Sequence, residues 1–336
     1  MYSTFSSLSS LITKASKIVS SSIGLGTNWA NISTTLNVAS TSGCCSTDRA
    51  YFFGIFSSVL YVSTDLGTSW TNMQSRISNL TPAWVICSQT GQYVYVRTTG
   101  ASYNWVSNDY GASFTSYNVP AGGPNLFIDK TGQYAIQSTN QTSATKGVYV
   151  SSNYGVTWTN VGTNISGWGT TLLARHFNSA CMCQSDPNKI MISSGVSEGI
   201  FYSSNFGTTW TLCNPGGTSA PYIVGCVDNG TFFAIGGSSV YYTSNPTSGW
   251  TALTGVSGMP STGFNLISGG GSSLILHNAT AKSIWYTLNN GSTWASNTTV
   301  PGGTQTTNGN FVYSSLDGLT LATGWNTTTK NMWISY

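Results

Sequence analysis

The octapeptide Ser63-Thr64-Asp65-Leu66-Gly67-Thr68-Ser69-Trp70 returns along the chain with its outline intact. It reads Ser107 to Phe114 with Asp109 and Gly111, Ser151 to Trp158 with Asn153 and Gly155, Ser203 to Trp210 with Asn205 and Gly207, and Thr287 to Trp294 with Asn289 and Gly291. A worn copy, Thr243 to Trp250, keeps Asn245 but has lost the central glycine. The closing aromatics are spaced 44, 44, 52, 40 and 44 residues apart. Each copy holds the parts of a tight turn between two strands. The Asp or Asn oxygen can accept backbone N–H groups, the glycine can take a positive φ, and the aromatic opens the next strand and packs between neighbouring sheets.

A second turn repeats out of phase with the first. It occurs at Ser46–Arg49, Ser88–Gly91, Asp129–Gly132, Ser185–Asn188, Asp228–Gly230, Gly269–Gly271 and Ser315–Gly318. Apolar runs such as Trp84–Cys87 and Tyr93–Val96 flank it. The unit is therefore strand A, this turn, strand B, a loop, strand C, the octapeptide turn and strand D. Four strands in about 44 residues is the size of a propeller blade. There are seven second turns, but the chain stops at Met332–Tyr336, a strand C without its octapeptide, and Gly26-Thr27-Asn28-Trp29 near the start is the latter half of one without its beginning. The expectation is an all-β, seven-bladed β-propeller of four-stranded antiparallel blades over residues 22–336, its ring closed by pairing the N-terminal strand with the C-terminal blade. Closure removes exposed sheet edges. Residues 1–21 fall outside the ring. Phe5, Leu8, Leu11, Ile12, Ala15, Ile18 and Val19 have helical spacing, which predicts an N-terminal arm or short helix that caps the ring or docks on a partner.

The repeat resembles the Asp-box (BNR) motif of β-propeller proteins, and the resemblance runs over nearly the whole chain. The residues that carry it are Asp65, Gly67, Trp70, Asp109, Gly111, Phe114, Asn153, Gly155, Trp158, Asn205, Gly207, Trp210, Asn245, Trp250, Asn289, Gly291 and Trp294, with Gly26 and Trp29 from the split copy. The resemblance implies a ligand face on the side away from the octapeptide turns. It extends to the Asp-box proteins of large DNA viruses and phages and to lectins. That implies a structural or surface interaction module of a virion or extracellular assembly, whose partners are other structural proteins or a surface glycan.

Composition narrows the functions further. Of 336 residues 40% are hydrophobic, but only 6% are charged, against about 25% in an ordinary soluble protein. Solubility then rests on hydroxyls and amides. No apolar run approaches the length of a membrane-spanning helix. Lys14 and Lys17 interrupt the apolar N-terminal stretch, so it is not read as a signal peptide. Eleven scattered Lys and Arg do not make a nucleic-acid footprint. The seven cysteines read as small buried apolar residues, not as a disulfide or metal framework. No metal and no cofactor are expected.

Sorted by the face on which the strand order puts them, the charges separate. The octapeptide face collects Asp48, Asp65, Asp109, Asp129, Asp186, Asp228 and Asp317 with Arg49, Lys130 and Lys189, a net −4. The opposite face, made by the D–A and B–C loops, collects Arg76, Arg97, Lys146, Arg175, Lys282 and Lys330 against Glu198, a net +5. Asp is common in turns, which accounts for the first face and not for the second. The candidate ligand-binding residues are Arg76, Arg97 and Glu198, with Trp168, Arg175 and His176 from the longest repeat. The ligand expected there is anionic or polar, such as an acidic glycan. Glycoside hydrolysis wants two carboxylates across the scissile bond, and this face has one. The chain is therefore read as non-enzymatic, with a lectin-like module as the alternative and a divergent sialidase-like hydrolase as the third reading.

Overall fold

The computed structural model describes residues 30–31, 40–98, 103–119, 122–139, 147–166, 177–194, 199–215, 222–236, 239–254, 256–260, 264–278, 283–297, 309–314, 321–325 and 332–335. They form seven four-stranded antiparallel sheets, the blades of a β-propeller. In order of strands A to D, blade 1 is Ser40–Cys45, Phe52–Phe56, Val59–Ser63 and Thr71–Asn72. Blade 2 is Pro82–Cys87, Val94–Thr98, Tyr103–Ser107 and Thr115–Asn118. Blade 3 is Gly122–Ile128, Ala135–Thr139, Val148–Ser151 and Thr159–Asn160. Blade 4 is Phe177–Met182, Ile190–Ser194, Ile200–Ser203 and Thr211–Leu212. Blade 5 is Tyr222–Cys226, Phe232–Gly236, Ser239–Thr243 and Thr251–Ala252. Blade 6 is Phe264–Gly270, Ser273–Asn278, Ser283–Thr287 and Ala295–Asn297. In blade 7, Gly309–Ser314, Leu321–Trp325 and Met332–Ser335 supply A to C. Ala30–Asn31, directly after Trp29, is its strand D and pairs with Met332–Ser335 through Ala30↔Ile334 and Asn31↔Trp333. The innermost strands touch in ring order, and that of blade 7 returns to that of blade 1. The arm at 1–21, Gly26 and Trp29 lie outside the described residues.

Burial falls from the inside of a blade to its rim. Strand B is covered by a neighbouring blade on each face, so it does not alternate: all of Phe52–Phe56, Val94–Thr98, Ile190–Ser194 and Phe232–Gly236 are buried. Such strands read as nearly continuous apolar runs, as two-sided burial requires. Strand D is exposed at Thr71–Asn72, Thr211–Leu212 and Thr251–Ala252.

The five octapeptide turns that keep the central glycine have one geometry. In the first, the Ser63 hydroxyl donates to Asp65 Oδ1 (2.8 Å) and accepts the Gly67 N–H (2.8 Å). The Ser69 N–H and hydroxyl donate to the Asp65 carboxylate at 2.9 and 2.6 Å. Ser107, Asp109, Gly111 and Ser113 repeat this set. Where the acid is Asn, its amide donates instead to a threonine: Asn153 Nδ2 to Thr157, Asn205 Nδ2 to Thr209 and Asn289 Nδ2 to Thr293. The two central residues both have positive φ, as at Tyr110 (59°) and Gly111 (80°), and Ala112 N–H closes on Asp109 C=O at 3.1 Å. This is the paired positive-φ arrangement of a type I′ hairpin turn, which matches strand twist.

The same turn joins the blades. A Cβ on Gly111 would lie 2.5 Å from Met73, one on Gly155 2.7 Å from Tyr95, one on Gly207 2.8 Å from Val161 and one on Gly291 2.9 Å from Phe233, each in the preceding blade or just after it. The residue before the glycine meets the start of strand B of that blade: Tyr110 stacks on Tyr51 at 4.8 Å and Tyr154 on Tyr93 at 4.3 Å, and Phe206 meets Tyr134 edge-on at 5.3 Å. Its N–H bonds the A–B turn of its own blade, as from Tyr110 to Gln92, Tyr154 to Gln133 and Phe206 to Asn188. These bonds put the A–B and octapeptide turns on one face of the ring. Phe114, Trp158, Trp210, Trp250 and Trp294 pack into the apolar clusters shared with the preceding blade. In the worn copy, Trp250 sends its indole N–H to Cys213 C=O in blade 4 (2.7 Å), whereas Trp158 bonds its own Gly155 C=O.

Gly155→Ala adds a Cβ against Tyr95 at a φ of 74°. The strained backbone and the clash together should cost about 2–4 kcal/mol, read as a lowered urea midpoint. A second outcome concerns acid. Hydrogen bonds from Ser69 hold the Asp65 carboxyl below its ordinary pKa; at Asp109 burial pushes the other way, but the bonds from Ser113 and Ser107 outweigh it. A carboxyl with a depressed folded pKa stabilises above the unfolded pKa, and that contribution fades as pH falls below about 4. Asp65→Asn with Asp109→Asn should keep the fold at neutral pH, as Asn153 shows, and flatten the loss of stability below pH 4 in melting curves.

Candidate functional site

At the far end of the strands from the octapeptide turns, blades 2 and 3 enclose a polar cluster in an otherwise apolar contact. Trp84, Arg97 and Asn104 are in register across strands A, B and C of blade 2. Directly paired residues share one face of a sheet, and this face meets blade 3, because Asn104 Nδ2 donates to Gln137 Oε1 at 2.6 Å. Trp84 belongs to the same inter-blade contact as Tyr95, Leu126 and Ala135.

Arg97 is 7% exposed, and Asn104 and Gln137 are fully buried. Burial lowers the Arg97 pKa to about 10, so the guanidinium stays charged at neutral pH in a poorly solvated place. Trp84 Nε1, Asn104 Oδ1 and Gln137 Nε2 are buried and without a hydrogen-bond partner among the described residues. Buried polar atoms are nearly always satisfied. Two N–H donors, one acceptor and a cation at one blade junction are the equipment for holding a polar or anionic group.

A β-bulge sits beside the cluster, where the register of strand A shifts between Pro82 and Trp84. Strand A is irregular at the same end in blades 1, 3, 4, 6 and 7. Bulges bend a strand and re-aim its side chains. Pro82, which has no N–H to give a ladder, suits that position.

Of the six residues that the sequence nominates, the structure describes two. Arg97 lies in strand B at the loop-side end. Arg76 is a correction: it sits in the 3₁₀ turn Gln74–Ile77 after strand D of blade 1, and its Nη1 donates to Gly111 C=O at 2.7 Å. The guanidinium is thus committed to the octapeptide turn of the next blade and not to the loop face. Asn164 makes the matching bond to Gly207 C=O from the turn Gly162–Asn164. Trp168, Arg175, His176 and Glu198 lie outside the described residues, as do Lys146, Lys282 and Lys330. Trp84, Asn104 and Gln137 escaped the sequence reading. Their one signal was a polar residue interrupting an apolar strand B, Arg97 after Val94-Tyr95-Val96 and Gln137 after Ala135-Ile136.

Among the described residues the carboxylates all stand in turns of the octapeptide face, where most accept turn hydrogen bonds. Among the described residues no three His, Cys, Asp or Glu side chains are grouped to hold a metal. No described helix is long and apolar enough to cross a membrane.

No protein-family model matches the chain, and no curated protein matches it. Solved structures do. The GH74 xyloglucanase from Xanthomonas campestris is similar over 89% of this chain and 52% of its own, with a TM-score of 0.63 and 11% identity; this chain thus spans about half the length of that enzyme. YCF48 from Cyanidioschyzon merolae is similar over 92% and 98% of the two chains, with a TM-score of 0.64 and 13% identity. Virginiamycin B lyase from Staphylococcus aureus is similar over 92% and 98%, with a TM-score of 0.63 and 10% identity. At these identities the likeness establishes the propeller fold.

His277 holds in blade 6 the register position that Arg97 holds in blade 2, opposite the strand A bulge. It is 1% exposed, and burial lowers its pKa to about 4, so it is neutral above that pH. Its unfolded pKa is higher, near 6.5. Stability should therefore fall as pH drops from about 6.5 to 4, by about 2–3 kcal/mol. In His277→Gln, melting curves across that window should lose this slope.

Proposed function

We propose that this chain is an Asp-box propeller without catalytic activity, an interaction module of a virion or extracellular surface assembly. In this reading it holds an anionic or polar group of its partner at the loop face, at the blade 2–3 junction. The observation that carries the reading is the buried Arg97 beside the Asn104–Gln137 pair, with amide and indole atoms left unsatisfied. The octapeptide face supports it by contrast, since its Asp residues are spent on turn hydrogen bonds. A solved YCF48 structure bound to D1 peptide, similar to this chain over 92% of its length with a TM-score of 0.61, carries a peptide on this fold.

A lectin-like role is the second reading. The indole and amides at the junction are groups that suit a sugar hydroxyl, and the xyloglucanase likeness favours carbohydrate. Glycosidase chemistry is the least supported, because the described carboxylates stand on the opposite face.

The test is an array of acidic and neutral glycans, with xyloglucan turnover assayed alongside. Acidic ligands should bind, and Arg97→Met should weaken them at least tenfold with an unchanged circular dichroism spectrum. Selection for neutral sugars, insensitive to Arg97→Met, would move the assignment to the lectin reading. Turnover abolished by Glu198→Gln would overturn the non-catalytic one.

A further inference from the structure

All seven cysteines are buried thiols, and four of them fall into two pairs built alike. In blade 1, Ser42 Oγ donates to Val85 C=O (3.3 Å) and accepts the Val85 N–H (3.1 Å), joining strand A of blade 1 to strand A of blade 2. In blade 4, Ser179 Oγ makes the same two bonds to Val224 of blade 5, both at 3.2 Å. Two residues further along each strand, on the same face by strand alternation, stand Cys44 and Cys87 in the first case and Cys181 and Cys226 in the second. The chain therefore carries Ser42-Gly43-Cys44 against Val85-Ile86-Cys87, and Ser179-Ala180-Cys181 against Val224-Gly225-Cys226.

Register confirms the equivalence. Cys44 pairs with Phe53 and Cys181 with Met191, each the second residue of its strand B; Cys87 pairs with Val94 and Cys226 with Phe232, each the first. Cys44 and Cys87 share one apolar cluster, and Cys181 and Cys226 another. Within each pair one thiol raises the pKa of the other, Cys87 that of Cys44 and Cys181 that of Cys226.

The other three cysteines have different surroundings. Cys183 Sγ lies 3.2 Å from Ser185 Oγ and also reaches Asp228 C=O. Cys213 Sγ donates to Ile200 C=O. Cys45 leaves its strand on the face opposite Cys44.

We propose that Cys44–Cys87 and Cys181–Cys226 are disulfide sites, each bond covalently joining the innermost strands of two neighbouring blades. In each, one protein S–S bond forms as the S–S bond of a small disulfide oxidant, such as oxidised glutathione, breaks. The two thiol hydrogens and the two electrons pass to that oxidant, which leaves as two thiols. Burial sets when this happens. It pushes the Cys44 thiol pKa well up, with Cys87 adding to the rise; at Cys226 the hydrogen bond with Cys181 acts first and burial second. Thiolate is the attacking form, so the closed ring exchanges slowly. The bonds form while the blades are still closing, and once closed the ring shields them from reductant.

The test uses the full chain refolded from denaturant, once with a phosphine reductant and once in a glutathione redox buffer. Free thiols are then alkylated in denaturant and the peptides are mapped by mass spectrometry. The reduced sample should show seven reactive thiols and the oxidised sample three, at Cys45, Cys183 and Cys213. Linked peptides should join Cys44 to Cys87 and Cys181 to Cys226, and the oxidised protein should melt at a higher temperature. Cys44→Ala should lose the first link alone, and Cys226→Ala the second alone. Seven reactive thiols in a natively folded oxidised sample would overturn the proposal, as would links through Cys45, Cys183 or Cys213; the wild-type map decides this even if a variant fails to fold.

Discussion

The hydroxyl that opens each of the five octapeptide turns with a central glycine accepts the N–H of that glycine four residues on, and the ring depends on that bond. It holds two successive residues at positive φ, a conformation that a bulky side chain such as Tyr110 or Phe206 resists. With the turn held there, the glycine presents a bare Cα to the preceding blade at Met73, Tyr95, Val161 or Phe233. Turn chemistry and blade packing therefore meet in one residue. A side chain there would strain the backbone and push the blades apart together.

This arrangement explains how so weakly charged a chain holds its shape. The turns are built from hydroxyls, amides and a few carboxylates, and a single ion pair, Lys189–Asp186 at 3.6 Å, is found among the described residues. Backbone bonds run between the A–B turns of adjacent blades, from Thr47 to Gln89, Gln89 to Lys130 and Asp228 to Gly271. One face of the ring is thus consumed by its own stitching. The other end of the strands carries the bulges and the polar junction, where buried indole and amide atoms are unsatisfied among the described residues.

The repeat made much of the fold legible. Six octapeptides and seven second turns, read with the apolar runs between them, implied four-stranded blades. The orphan Gly26–Trp29 pointed to the strand Ala30–Asn31 that completes the last blade. The site was far less legible. Arg97 was picked out by its charge, but Trp84, Asn104 and Gln137 are unremarkable in sequence. Arg76 was nominated for the loop face by its place in the chain, but its guanidinium bonds the Gly111 carbonyl of the next blade, a contact across blades that local sequence does not record.

What the chain's own letters determined is local: the turns, their glycines, the apolar runs that make strands, and the aromatic that closes each unit. These rest on interactions within a few residues, and the spacing of repeats records them. Tertiary structure decided what meets what across blades: the Arg76 clamp on Gly111, the Asn104–Gln137 bond, and the alignment of Cys44 with Cys87 and of Cys181 with Cys226. Such contacts join residues more than thirty positions apart, and their partners are set by the register and tilt of neighbouring sheets. The octapeptide hydroxyl belongs to both levels, because the turn it shapes is also the surface on which the next blade rests.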